Sequence, residues 1–274
     1  MENREYKDSM FKDLFSIPKN SAELINALLD TNYKEEDIEN VTLSNVLRKD
    51  IYNDLAFLTK ENELIVLIEH QSTLNCNMPL RMLLYLVDEY KRIIDANDLN
   101  LYRNTLISLP TPKFFVIYTN EQAQEQQVLK LSDCFQGETS FELEVVCYNI
   151  LKSNILGEKS KTIQEYATFI QLVFTHLKEK MSLKQAIEKA MEDCQRSGTL
   201  ETYLKNRRSE VFDMLALEFD IDKLQEASYA DGIEEGLLLA AKKMIEKGKS
   251  YEEVSKILDI PQQSIENYMK RKNL

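Results

Sequence analysis

The 274-residue chain has little glycine or proline, six and five residues respectively. That scarcity argues against long flexible linkers and against a glycine-rich phosphate loop. Histidine is scarcer still. His70 and His176 are the two present, and neither has a second ligand at a familiar spacing, which argues against zinc. The four cysteines, Cys76, Cys134, Cys147 and Cys194, form no CxxC pair. Reduced thiols in a cytoplasmic protein are the expectation. No apolar run nears the roughly 20 residues of a membrane span. The N-terminal MENREYKDSM lacks the apolar stretch of a signal peptide. Positive charge is also short: 34 Lys and Arg stand against 46 Asp and Glu, a net charge of −12. Phosphate contacts need cations, so a general nucleic-acid coat protein is excluded.

What is present is an ordinary globular composition, 43% hydrophobic and 29% charged, in a chain long enough for one to two domains with a sizeable core. Charge is uneven. The acidic excess lies mainly in the first hundred residues, whereas residues 242–274 carry eight Lys or Arg against five Asp or Glu, a local +3. An enzyme that handles DNA with a divalent metal tolerates overall acidity, because the ions supply positive charge.

Hydrophobic periodicity changes once along the chain. FKDLFS and SAELINALLD have helical spacing, with Ser21 a candidate N-cap and Glu23 in the first turn. VTLSNVL, IYNDLAFLT and ELIVLIEHQ read as strands, and Lys60-Glu61-Asn62 is short enough to close a hairpin between the last two. MPLRMLLYLVDEYKRIIDAN is an amphipathic helix with Pro79 in its first turn. PKFFVIYTN and FELEVVCYNI are further strands. Beyond about residue 160 the segments TIQEYATFIQLVFTHL, SLKQAIEKAMEDCQ and TLETYLKNRRSEVFDMLALEF all follow the 3.6-residue period. The fold class expected is α/β, a mixed central sheet flanked by helices and followed by an all-helical C-terminal region.

One position stands out. The strand Leu64-Ile65-Val66-Leu67-Ile68 ends in Glu69-His70-Gln71. A carboxylate in such company has a partner, holds a metal, or costs the fold free energy. Gln71 shares its strand face with Glu69, and His70 alternates away as a packing residue. Arg81, Tyr85 and Glu89 recur at i, i+4 and i+8 on one face of the following helix. Arg81 can either contact phosphate or hold Glu69 in a structural ion pair. Met78 and Met82 are core candidates, and His176 has no visible partner.

Helix, hairpin, helix and strand, with Asp54 entering the second strand and Glu-x-Gln ending the third, resemble the PD-(D/E)XK nuclease superfamily. More closely, DSMFKDLFS with ELINALL, then NDLAF, LIEHQSTLNCNMPLRMLLYL and LPTPKFFVIYTN, resemble the recombination-promoting nuclease (Rpn), transposase-like family over roughly residues 6–150. The acidic DGIEEG is similar to that family's ends. The resemblance implies a restriction-endonuclease-like core over 1–155, leaving a helical extension over 156–225 and a helical tail over 226–274. It implies a divalent-metal-dependent DNA endonuclease using Mg²⁺ (or Mn²⁺ or Ca²⁺), held by Asp54, Glu69 and the backbone carbonyl of His70. Gln71 stands where the superfamily has lysine. An amide orients water or phosphate but cannot act as a cationic base. The family motif places a basic residue at Lys12, on the first helix, as the candidate source of that charge. Two other readings remain open: a nuclease-like core that binds DNA or protein without efficient catalysis, and a ribonuclease acting as toxin or defence effector.

The tail raises a separate expectation. KSYEEVSKILDIPQQSIENYMKRK resembles a helix-turn-helix, with Val254, Ile257, Leu258, Ile260 and Ile265 spaced to pack two short helices and Asp259 where glycine is usual. In DNA-binding versions the second helix enters the major groove. Here that helix would offer Gln262, Gln263, Asn267, Lys270 and Arg271. The alternative is a helical cap or an oligomerisation element, and the amphipathic GIEEGLLLAAKKMIEKG before it suits pairing with a second copy.

Overall fold

The computed structural model describes residues 9–41, 55–60, 63–71, 74–120, 125–152 and 155–272. Within the last two long helices, the side chains of 220–232, 234, 235 and 270–272 lie outside this description. The chain forms two compact units, residues 1–216 and 217–274.

The first unit is built on a six-stranded mixed sheet. Its strands are β1 (Ile38–Asn40), β2 (Leu55–Thr59), β3 (Leu64–Gln71), β4 (Thr111–Tyr118), β5 (Gln126–Lys130) and β6 (Glu144–Asn149), in spatial order β1-β2-β3-β4-β6-β5. β2 and β3 pair antiparallel as expected for a hairpin, with Leu55 opposite Ile68. β3, β4 and β6 run parallel. A parallel pair needs a long crossover. Helix α3 (Met78–Ala96) provides the one between β3 and β4.

The oily run of β3 has a plain cause. The strand is central, so Ile65 through Ile68 are fully buried whichever way they point. Ile65 and Leu67 pack with Met78, Met82 and Tyr85 of α3 in one hydrophobic cluster. His70 points to the opposite face, where α1 (Met10–Phe15) and α5 (Lys161–Lys178) lie: its ring stacks on Phe11 at 4.7 Å and meets Tyr166 at 5.7 Å. The expectation that His70, Met78 and Met82 are packing residues agrees with this arrangement.

Several boundaries differ from expectation. Helix α2 (Pro18–Leu29) starts three residues before Ser21, with Pro18 in its first turn and Ile17 as N-cap. Proline's fixed φ suits that position. Ser21 is therefore inside the helix and buried, its hydroxyl donating to the Phe15 carbonyl at 2.7 Å. Glu23 reaches out of α2 to the start of α5, accepting hydrogen bonds from the Ser160 hydroxyl and the Thr162 amide at 2.8 and 2.9 Å. Most of the VTLSNVL strand candidate, from residue 42 on, lies outside the described residues. The strand found near it, β1, precedes it, pairing Ile38–Asn40 with β2. β5 was not foreseen either. It is an edge strand of polar and aliphatic residues, held to β6 by backbone pairing and largely exposed.

Helices α4 (Ile155–Lys159), α5 and α6 (Leu183–Ser197) follow the sheet, and α7 (Glu201–Glu246) belongs to both units. Arg207 departs from helical geometry within α7, and its guanidinium pairs with Asp13 of α1. His176 of α5 has partners after all: Glu179 at 3.1 Å and Asp193 of α6 at 2.8 Å.

In the second unit, α8 (Tyr251–Leu258) and α9 (Gln262–Lys272) pack with the end of α7 around Ala241, Val254 and Ile265, with Leu258 and Ile260 packed against them. Ser250 and Glu253 form a capping box at the start of α8. Asp259 takes the left-handed conformation that closes the turn, φ 52°. It can do so because a short polar side chain tolerates that region. Ile257, expected in the core, is 53% exposed instead. No helix among the described residues is long and apolar enough to cross a membrane.

Candidate active site

Glu69 and Gln71 end β3 on the face covered by α3, and the first two turns of α3 complete the cluster. Pro79 starts that helix where its missing N–H costs nothing. The helical period then brings Met78, Arg81, Met82 and Tyr85 over the end of the strand. The Glu69 side chain is 4% exposed, and Arg81 Nη2 donates to its Oε2 at 3.0 Å. Arg81 also donates from Nε and Nη2 to the Tyr85 hydroxyl, at 3.1 and 2.8 Å. One guanidinium nitrogen, Arg81 Nη2, thus donates to both the Glu69 carboxylate and the Tyr85 phenol. Gln71 Nε2 contacts Met78 Sδ at 3.1 Å.

The electrostatics follow from burial. A carboxylate withdrawn from water is tolerable when a hydrogen-bonded cation compensates it. Arg81 does this from the rim, with its side chain 35% exposed. Burial first, and then the Glu69 charge, holds the Tyr85 phenol above its ordinary pKa, so it serves as a neutral hydrogen-bond partner. On the other face of the sheet, burial pushes His70 down to about 4, so its ring is neutral near pH 7. That ring shares a 3.2 Å hydrogen bond with the Tyr166 hydroxyl. The ring is thus engaged with Phe11 and Tyr166, on the sheet face opposite Glu69.

Of the residues singled out from sequence, the fold brings Glu69, Gln71 and Arg81 together. Lys12 sits on α1, which packs through Phe11 on the His70 side of the sheet. Asp54 lies outside the described residues; its neighbour Leu55 is opposite Ile68, the residue before Glu69. In the second unit, Gln262 and Gln263 are exposed on α9, bonded to Glu266 and Asn267 one turn on, at 2.7 and 3.2 Å. The side chains of Lys270 and Arg271 lie outside the description. Among the described residues no three His, Cys, Asp or Glu side chains cluster as a metal site. Tyr85 is the member of the cluster to which sequence reading gave no role. Its i+4 spacing from Arg81 was the available signal.

The family model described as "Putative transposase, YhgA-like" matches residues 5–205, which include every element of this cluster and stop short of α8 and α9. No curated protein and no solved structure matches the chain.

Proposed function

The chain belongs to the family of YhgA-like putative transposases, within the Rpn and PD-(D/E)XK nucleases, and on that premise we propose that it is a divalent-metal-dependent DNA endonuclease. The observation that carries this reading is the buried Glu69 carboxylate at the end of the central strand, paired with the Arg81 guanidinium and two residues from Gln71 on the same strand face. The donor chemistry fits a hard cation. Mg²⁺, Mn²⁺ and Ca²⁺ prefer carboxylate and carbonyl oxygens, and Glu69 with the main chain of His70 offers both types. The pocket already accommodates a positive charge, that of Arg81. Asp54 would be the second carboxylate. When bound, the ion supplies an activated water and charge neutralisation at the scissile phosphate.

The remaining work falls to this chain's own side chains. Gln71 orients water or a phosphate oxygen through its amide. Arg81 presents a planar fork suited to a phosphate, and Lys12 adds positive charge from α1. DNA contact by α9, through Gln262, Gln263, Lys270 and Arg271, is a separate part of the proposal, placed outside the segment that defines the family.

Supercoiled plasmid incubated with the full chain and Mg²⁺, Mn²⁺, Ca²⁺ or chelator tests the reading. Nicking that needs metal and disappears in Glu69→Gln is expected. Nicking that persists in chelator or in Glu69→Gln overturns it. Cleavage of RNA in preference to the plasmid would identify a ribonuclease instead.

A further inference from the structure

Glu69 has two prospective cations. One is the proposed metal; the other is Arg81, whose Nη2 already lies 3.0 Å from Oε2. Both favour the same buried carboxylate, and two positive charges within a few ångströms repel strongly where water is excluded. A guanidinium placed this way neutralises the carboxylate in the absence of metal. It also opposes the arrival of a divalent ion.

Arg81 has a route out of the pocket. It reaches Glu69 from α3 on a long flexible side chain that is 35% exposed, so an outward path to solvent exists. Two of its other contacts are neutral: the Tyr85 hydroxyl and, at 3.5 Å from Nη1, the Met78 sulfur. Tyr85 is itself fully buried and accepts from Arg81 Nε and Nη2. By accepting from the guanidinium it places Arg81 against Glu69, which makes it a positioning residue for Arg81. A phosphodiester at the rim offers the guanidinium an anion of matching geometry outside the pocket.

From this arrangement we infer that Arg81 is a displaceable counter-ion: a DNA phosphate draws it off Glu69, and the divalent cation binds tightly only after it has gone. Metal and DNA then bind cooperatively, and by linkage each raises the affinity for the other by the same factor. A protein built this way holds little metal while idle. The inference rests on the metal reading of Glu69.

Titration with Mn²⁺, followed by loss of the free-ion electron paramagnetic resonance signal, tests it. The comparison is full-length wild type against Arg81→Met, each with and without a short phosphorothioate duplex and with duplex alone as control. Without DNA, Arg81→Met should bind Mn²⁺ at least about ten-fold more tightly than wild type. The duplex should tighten Mn²⁺ binding to wild type by a similar factor and leave the variant nearly unchanged. Equal affinities in the two proteins, with no gain from duplex, overturn the inference while leaving the metal site standing. Should Arg81→Met not fold, the wild-type titrations decide alone: no gain from duplex overturns the coupling. If wild type and Glu69→Gln bind Mn²⁺ equally poorly with and without duplex, the metal reading itself fails, and the inference with it.

Discussion

Two buried carboxylates lie at helix α3, Glu69 beside its first turns and Glu89 within it, and each is paired with an arginine. Glu69 is 4% exposed and meets Arg81; Glu89 is 2% exposed and meets Arg92 at 3.1 Å. By burial and pairing alone they are alike. They differ in what surrounds the pair. Glu89 and Arg92 are neighbours on one helix, and Arg92 also donates to the Val41 carbonyl at 2.9 Å, tying the helix to the sheet's edge. Its side chain is 52% exposed, too open to compensate the buried charge in full. Burial therefore pushes the Glu89 carboxyl up to about 7 despite the arginine. Glu69 instead ends a strand, its arginine comes from a different element, and that arginine also donates to the Tyr85 phenol. A buried ion pair is thus weak evidence of a site. Convergence of polar groups from separate elements is the better sign.

Neutralising each carboxylate in turn should separate the two sites by the largest margin. Glu69→Gln should lower plasmid nicking by more than about a hundred-fold, beyond the usual cost of losing a group that merely supports a metal ligand. Glu89→Gln should leave the rate within a few-fold of wild type. Equal losses in the two would show that the assay reports folding, not the site.

Removing the arginines comes next. Arg81→Met leaves a buried carboxylate uncompensated and should cost about 3 kcal/mol in chelator, the low end for a broken buried pair because Arg81 is partly open to water. Arg92→Met should cost clearly less at pH 7, because Glu89 can take up a proton instead. Urea unfolding of the two variants and wild type measures both.

A third effect is a pH dependence. The folded-state pKa of Glu89, about 7, lies above its ordinary 4.5, so between those values the folded protein binds more protons than the unfolded chain. Stability from this group is therefore greatest below about pH 4.5 and falls as pH rises to about 7, by about 2 kcal/mol. Glu89→Gln should remove that decline, so the wild-type-minus-variant difference in unfolding free energy across this range is the readout. A difference that does not change with pH would contradict the assigned shift.

The smallest expected effect is at His176. Burial lowers its pKa, but hydrogen bonds and charge from Glu179 and Asp193 outweigh this and leave it raised. The sign is the same as for Glu89, because both folded-state values are raised. The contribution is fully present below the unfolded value near 6.5 and is lost as pH rises through the higher folded value. His176→Gln should cost about 1 kcal/mol at pH 6, the scale of a hydrogen bond, and less at pH 9. Thermal melts at the two pH values check the direction.

How far each feature could be read in advance depended on whether its cause was local. The run Leu64–Ile68 announces a central strand, and Met78, Met82, Tyr85 and Glu89 announce one helix face, because burial imposes a period on the side chains themselves. Edge strands carry no such mark. β1 and β5 are held by backbone pairing with β2 and β6, which is available to almost any sequence, so Glu39, Asn40, Gln126 and Gln127 gave no sign of it. Ser21 misled because its residue type suits an N-cap, whereas Pro18 and the packing of α2 put the start of the helix earlier. His176 had no visible partner because Asp193 lies on another helix.

The candidate site divides in the same way. Glu69, Gln71 and Arg81 could be chosen from residue type, strand alternation and helical spacing, since each of these is a property of a few consecutive residues. That Arg81 already neutralises Glu69, that Tyr85 accepts from the same guanidinium, and that the equally buried Glu89 pair is tied through Arg92 to Val41 were decided only when α3 was laid across the sheet. Charge compensation and pKa depend on distances and solvent exclusion between distant segments, and those come into being only with the tertiary structure.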